Sequence, residues 1–161
     1  MAIAAKQTVP EVAPRDLQKI AELLGGARVL SGHVNSALDA HELLLRGLPA
    51  SALDHLVGHL RVLHKADSLE KAVGMSVRTY QRRKDTPSKP LSQEQSGRAW
   101  KFAEILAKAT DVFGSQEEAE QWLERPAIGL DQRRPIDLLS TPAGIELVED
   151  YLVRLEYGVY A

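Results

Sequence analysis

Apolar residues recur along this chain at three- and four-residue spacing and nowhere alternate, so the pattern predicts an all-α protein. From Pro14, the positions Leu17, Ile20, Ala21 and Leu24 form one helical face, which Gly25-Gly26 stops. A second helix is expected to open at Asn35 and to pass Leu38, Leu43, Leu44 and Leu45 before Gly47 and Pro49. A third, capped by Ser51, would carry Leu53, Leu56, Val57, Leu60 and Leu63 as one stripe. The run Asp85-Thr86-Pro87-Ser88-Lys89-Pro90 cannot continue a helix and reads as a linker or a stiff loop. After it a long helix is expected from about Ser92 to Phe113, with Ala99, Phe102, Ala103, Leu106 and Val112 roughly on one face and Gly114 as a left-handed stop. Ser115 and Glu118 have capping-box spacing and start a helix with Trp122 and Leu123, which Pro126 ends. Pro135 opens a short turn through Leu139, in which Asp137 is expected to bond back to free backbone N–H groups. Thr141-Pro142 caps a last helix, with Val148, Leu152 and Leu155 as a narrow stripe and Gly158 as its stop.

These elements divide the chain into a mobile tail at 1–14, a helical domain at 15–90 and a long helix with a further helical domain at 91–161. The tail lacks the apolar run of a signal peptide or membrane anchor, and no stretch approaches the roughly 20 apolar residues of a membrane helix. The chain has 161 residues, enough for a real core, and no cysteine, which excludes disulfides and cysteine metal sites and fits the cytoplasm. The net charge of −2 hides an asymmetry. Arg78, Arg82, Arg83 and Lys84 cluster in the middle, whereas the last third is rich in acidic residues, among them Glu117, Glu118, Glu120, Glu124, Asp131, Asp137, Glu146, Glu149, Asp150 and Glu156. Two surfaces with two partners would explain this division, although a charge run also serves as a solvated face.

The basic cluster lies in Asp67-Ser-Leu-Glu-Lys-Ala-Val-Gly-Met-Ser-Val-Arg-Thr-Tyr-Gln-Arg-Arg-Lys84. Asp67 with Glu70 would cap a short helix, Gly74 would supply the positive φ of a tight turn, and Ser76 would cap a second helix that turns Val77 and Tyr80 inward. Its other face would present Arg78, Thr79, Arg82 and Arg83, with Lys84 following, as candidates for DNA contact. Arginine forks can read guanine edges in a major groove, and later cations can hold phosphates. The layout resembles the helix-turn-helix of Xre-type regulators, with one departure: the position four before the turn glycine, usually small, is Glu70. A plain helical hairpin with a basic solvent face is the other reading of these residues.

A more specific resemblance follows. Trp122-Leu123, Pro126, Leu130, Arg134-Pro-Ile-Asp-Leu-Leu139, Thr141 with Gly144, and Val148 to Tyr160 resemble the toxin-binding domain of Xre/MbcA/ParS antitoxins, from about Ala107 to Ala161. With the helix-turn-helix upstream, this is the domain order of the Xre antitoxins that accompany RES-domain toxins. The resemblance implies a non-enzymatic antitoxin that covers the active-site entrance of an NAD-consuming RES toxin, dimerises through its helical middle and represses its own operon. At the end of the last helix Arg154, Tyr157, Gly158 and Tyr160 are the candidate toxin contacts, because a folded domain gains little from them and Arg and Tyr are typical interface anchors. A frayed terminus is the alternative. The same residues also fit an antitoxin whose helix-turn-helix only dimerises, or a stand-alone transcriptional regulator.

No catalytic constellation, cofactor site or metal site is expected. His55 and His59 have the spacing of a zinc-binding pair, but Leu56 stands where the glutamate of that motif would be, and solvent-facing histidines are expected. Gly25-Gly26 lacks the preceding strand and spaced glycines of a nucleotide loop.

Overall fold

The computed structural model describes residues 14–158, so the expected tail up to position 13 and Tyr160 lie outside the described residues. Among those residues every element is helical, and β-like pairing is confined to isolated bridges from Pro49 to Pro90 and from Ala127 to Arg133. The elements are α1 (Pro14–Leu23), α2 (Gly26–Leu30), α3 (Ala37–Arg46), α4 (Ala50–Gly58) and α5 (Lys65–Asp67), which runs on as a π-helical stretch (Ser68–Val73). They continue as α6 (Val77–Arg83), α7 (Gln93–Phe113), α8 (Gln116–Glu124), 3-10 turns at Ile128–Leu130 and Pro135–Ser140, and α9 (Pro142–Glu156).

The axis of the fold is α7. Its start is fixed by a complete capping box: Ser92 Oγ accepts from Gln95 N at 3.0 Å, and Ser92 N donates to Gln95 Oε1 at 3.3 Å. Ala99, Phe102, Ala103 and Leu106 are buried as expected, but so are Trp100, Ile105 and Ala109. A single apolar stripe underestimates this helix because α1, α3, the π-helical stretch, α8 and α9 all pack against it.

Helix stops and caps follow the expected residues at Gly114 (φ 91°), at Ser115, whose Oγ accepts from Glu118 N at 3.2 Å, at Pro135, and at Thr141, whose Oγ1 accepts from Gly144 N at 3.0 Å. Five local expectations are corrected. The cap of α3 is Ser36 rather than Asn35: Ser36 Oγ accepts from Asp39 N, while Asp39 takes the Asn35 N–H. Helix α4 begins before Ser51, because the carbonyls of Lys89 and Pro87 accept from Ala50 N at 3.1 Å and Ser51 N at 2.9 Å. The proline-rich run is therefore a stiff loop docked on the start of α4, supplying acceptors that the helix end would otherwise lack. Since α4 stops at Gly58, Leu60 and Leu63 leave its stripe. Asp67 caps nothing; α5 starts after His64, and the acceptor for His64 N is Glu124 of α8, at 3.2 Å. Finally, Asp137 bonds to no backbone group of its turn but takes both prongs of the Arg134 guanidinium, each at 2.9 Å. This fork holds the Asp137 carboxyl below its usual range.

Candidate functional site

The first surface is built on the turn between the π-helical stretch and α6. Gly74 has φ +75°, and a Cβ there would fall 2.0 Å from Arg98 Nη1, so only glycine satisfies both the left-handed backbone and the side chain lying across it. Arg98 reaches from α7 to donate to the carbonyls of Ala72 (Nε, 3.0 Å) and Lys71 (Nη2, 2.9 Å), placing a cation at the C-terminal end of a helix. Leu69, Ala72, Val73 and Met75 are buried, whereas Glu70 is exposed, so the charge at this position stays out of the hairpin core.

Ser76 caps α6 by accepting from Thr79 N at 3.1 Å. Tyr80 is buried and donates to Asp54 Oδ1 of α4 at 2.5 Å; burial, then this carboxylate, hold the phenol far above its ordinary range. With Tyr80 inward and Val77 half-buried, Arg78 and Arg82 stand exposed on the opposite side, with Thr79 between them. Thr79 Oγ1 accepts from Ser76 Oγ at 3.0 Å and from Arg82 Nη2 at 3.5 Å. Arg83 is half-buried, with Nη1 enclosed and lacking a hydrogen-bond partner among the described residues. Lys84 turns back to the protein, 5.0 Å from the Tyr80 ring centre and 3.7 Å from Asp54 Oδ1. The fold thus gathers Arg78, Thr79 and Arg82 on one outer face and leaves Arg83 and Lys84 at its flank.

The second surface is carried by α8, the 3-10 turns and α9. Glu120 is fully buried, and its Oε1 accepts from the backbone N–H groups of Arg61, Val62 and Leu63 at 2.8, 3.1 and 3.1 Å. Its Oε2 accepts from Gln116 Nε2 at 3.0 Å. The loop after α4 is therefore folded around a carboxylate from α8. Trp122 lies between Phe113 (ring centres 5.3 Å apart) and Tyr151 of α9 (6.0 Å), and Tyr151 in turn rests on Gly129, where a Cβ would come within 2.3 Å of the ring. Arg134, besides gripping Asp137, lies 3.6 Å from Asp67 of α5 and so ties the two surfaces together. Val148 and Leu152 anchor α9 in the core, and Leu155 is half-buried. At its end Arg154 is half-buried, Tyr157 is 75% exposed, and Gly158 is exposed with φ +68°. These three candidates come together; the fourth, Tyr160, lies outside the described residues.

His55 and His59 stack at 4.1 Å in a groove of about 290 Å³ between α1, α4 and α7. His59 is exposed but His55 is half-buried, and its pKa is lowered by that burial and then by His59. Among the described residues no group of three or more His, Cys, Asp or Glu is placed to hold a metal ion, and no helix is long and apolar enough to cross a membrane.

Pattern reading overlooked Arg98, Asp54 and Glu120. For Glu120 a signal existed: Gln116, Ala119, Glu120 and Leu123 fall at i, i+3, i+4 and i+7, so the acid sits within the inward stripe of α8. Nothing in the spacing marks Arg98 or Asp54, whose nearest partners along the chain, Ala72 and Tyr80, are each 26 residues away.

Both surfaces have counterparts among known proteins. Residues 39–104 match the antitoxin Xre-like helix-turn-helix domain, and residues 108–158 match the antitoxin Xre/MbcA/ParS C-terminal toxin-binding domain, the two regions meeting within α7. The chain is 30% identical over 128 residues to "Antitoxin Xre" of Photorhabdus laumondii, covering 79% of this chain and 80% of that one. With "Antitoxin Xre" of Yersinia enterocolitica the identity is 31% over 130 residues, covering 71% and 87%. A "Prs ADP-ribosylating antitoxin" of Sphingobium is 28% identical over 135 residues, covering 78% and 83%. With a helix-turn-helix on one side of α7, a toxin-binding domain on the other and relatives matched across most of their length, this chain belongs to the Xre/MbcA/ParS antitoxin family.

Proposed function

We propose that this antitoxin neutralises a RES-domain toxin that consumes NAD, laying the end of α9 over the toxin's active-site entrance, and that it represses its own operon from an operator bound through α6. The protein acts in the cytoplasm by binding, with no reaction of its own. Toxin contact belongs to residues 91–161 and operator contact to residues 15–90, with α7 as their shared axis. The observation that carries the toxin reading is the end of α9: Val148 and Leu152 hold the helix, Arg154 is half-buried, and Tyr157 and Gly158 stand exposed beyond the packed part. A plug for a cleft needs such a protruding element with anchor side chains. The relative whose name carries ADP-ribosylation, a reaction that consumes NAD, puts NAD chemistry beside one relative of this chain.

The test is growth rescue beside a gel shift on one variant, lacking 158–161 and carrying Arg154→Ala with Tyr157→Ala. Loss of buried anchors costs about 2 kcal/mol or more each, some thirtyfold in affinity. Rescue from the co-expressed toxin is expected to fail while operator binding persists. Full rescue by a stably expressed variant would move the contact surface elsewhere.

For the operator, the exposed pair Arg78 and Arg82 supports major-groove docking of α6, and a dimer would read two half-sites. Arg78→Ala with Arg82→Ala is expected to weaken the gel shift on the operon's own promoter and to lower the log–log salt slope by about 1 for each phosphate that is no longer neutralised. An unchanged slope and affinity would leave the helix-turn-helix a dimerisation element only.

A further inference from the structure

The most exposed large hydrophobic among the described residues is Ile128, at 80%, and Leu147 of α9 is 52% exposed. Both stand close in the chain to the contact of one ring. Ile128 is the chain neighbour of Gly129, on which Tyr151 rests, and Leu147 stands one helical turn before Tyr151 on α9. Leu147, Tyr151 and Arg154 fall at i, i+4 and i+7, so a single edge of α9 leads from this apolar patch to the anchors at the helix end. Scattered exposed leucines need no explanation, but apolar side chains gathered beside a half-buried aromatic ring are the usual centre of a docking face.

Resting on the reading that the C-terminal half grips a toxin, we propose that the toxin-binding face continues from the end of α9 along this edge to Leu147 and Ile128. Its apolar centre docks an apolar surface of the toxin that is rimmed by Lys and Arg. The rim on this side carries three exposed acids, Asp131, Glu146 and Asp150, with Arg133 exposed beside the first and Arg154 half-buried at the end of the edge. Ile128 and Leu147 both lie within residues 108–158, which match a toxin-binding domain, and that selects the occupant. A toxin with a basic rim would meet these acids with the opposite sign. Self-association has another apolar face available, since the exposed Leu38 and Leu45 lie on α3, in the other half of the chain.

The test is Ile128→Asp with Leu147→Asp in the full chain, titrated calorimetrically with an inactive variant of the RES-domain toxin that the proposed function assigns to it. Each substitution sits in solvent, so the melting temperature and the operator gel shift are expected to stay as in the wild type. The dissociation constant is expected to rise thirtyfold or more, and Ile128→Leu with Leu147→Met to restore it. Should the aspartates lower the melting temperature, Ile128→Gln with Leu147→Gln reads the same outcome. Affinity within about threefold of wild type would overturn the face while leaving the toxin reading intact. A fall in oligomer mass with unchanged toxin affinity would give the patch to self-association and overturn it equally. If the wild type itself does not bind this toxin, the broader reading fails and the proposal with it.

Discussion

Glu120→Ala is expected to cost about 3 kcal/mol or more of stability, because it leaves a cluster of enclosed donors without an acceptor. The carboxylate holds the N–H groups of Arg61, Val62 and Leu63 and the Gln116 amide at once, and its side chain is fully buried. Alanine removes all four bonds and opens a space between α8 and the loop after α4. For a domain of this size the thermal midpoint should fall on the order of 10 °C. Glu120→Gln keeps one oxygen for the three backbone donors but turns an NH2 toward the Gln116 NH2, so it should lie between alanine and wild type. Glu124→Ala removes one bond, to His64 N, and should change the midpoint least. Thermal melts of the three variants check the order; equal midpoints for Glu120→Ala and Glu124→Ala would mean that the loop finds other acceptors.

Gly144→Ala is the second large effect. The added Cβ would stand 2.0 Å from the Leu138 carbonyl oxygen and 3.1 Å from Thr141 Oγ1, and the first of these is backbone that cannot swing aside. Overpacking of this kind costs about 3 kcal/mol at the upper end of its usual range, or else the start of α9 moves away from the 3-10 segment before it. Either response disturbs the helix that carries Arg154 and Tyr157, so the variant should lose stability and toxin affinity together. Thr141→Ala, which removes only the cap, should cost about 1 kcal/mol. Urea unfolding with toxin titration distinguishes them: a Gly144→Ala protein of wild-type stability would contradict the close approach.

Much of this was legible in the pattern of residues. Gly74, Gly114 and Gly158 mark left-handed stops, and Ser76, Ser92, Ser115 and Thr141 mark helix starts, because each effect is local in sequence. The resemblance in the last third also carried over, since it rested on several elements in order. The misjudged features were those whose hydrogen-bond partners lie far along the chain. Ser51 reads as a cap only until the carbonyls of Pro87 and Lys89 are brought to it. Asp67 reads as a cap until Arg134 faces it, and Glu120 and Glu124 count as surface charge until the 61–64 backbone folds onto them. On the candidate surfaces Arg78 and Arg82 stand outward as their positions on α6 require, while the turning back of Lys84 depends on Asp54, which no local spacing reveals.

The long-range caps also set limits on how such proteins can exchange parts. Glu120 and Glu124 on α8 and Arg98 on α7 complete the hydrogen bonding of residues 61–73, so the 85–90 loop is not a natural seam despite its prolines. A hybrid joined there from two relatives would pair one parent's loop with the other's acids and guanidinium, and would inherit their mismatches as unmet backbone groups. A hybrid that keeps the 61–73 segment together with α7 and α8 from one parent is therefore expected to melt higher than one cut at the 85–90 loop.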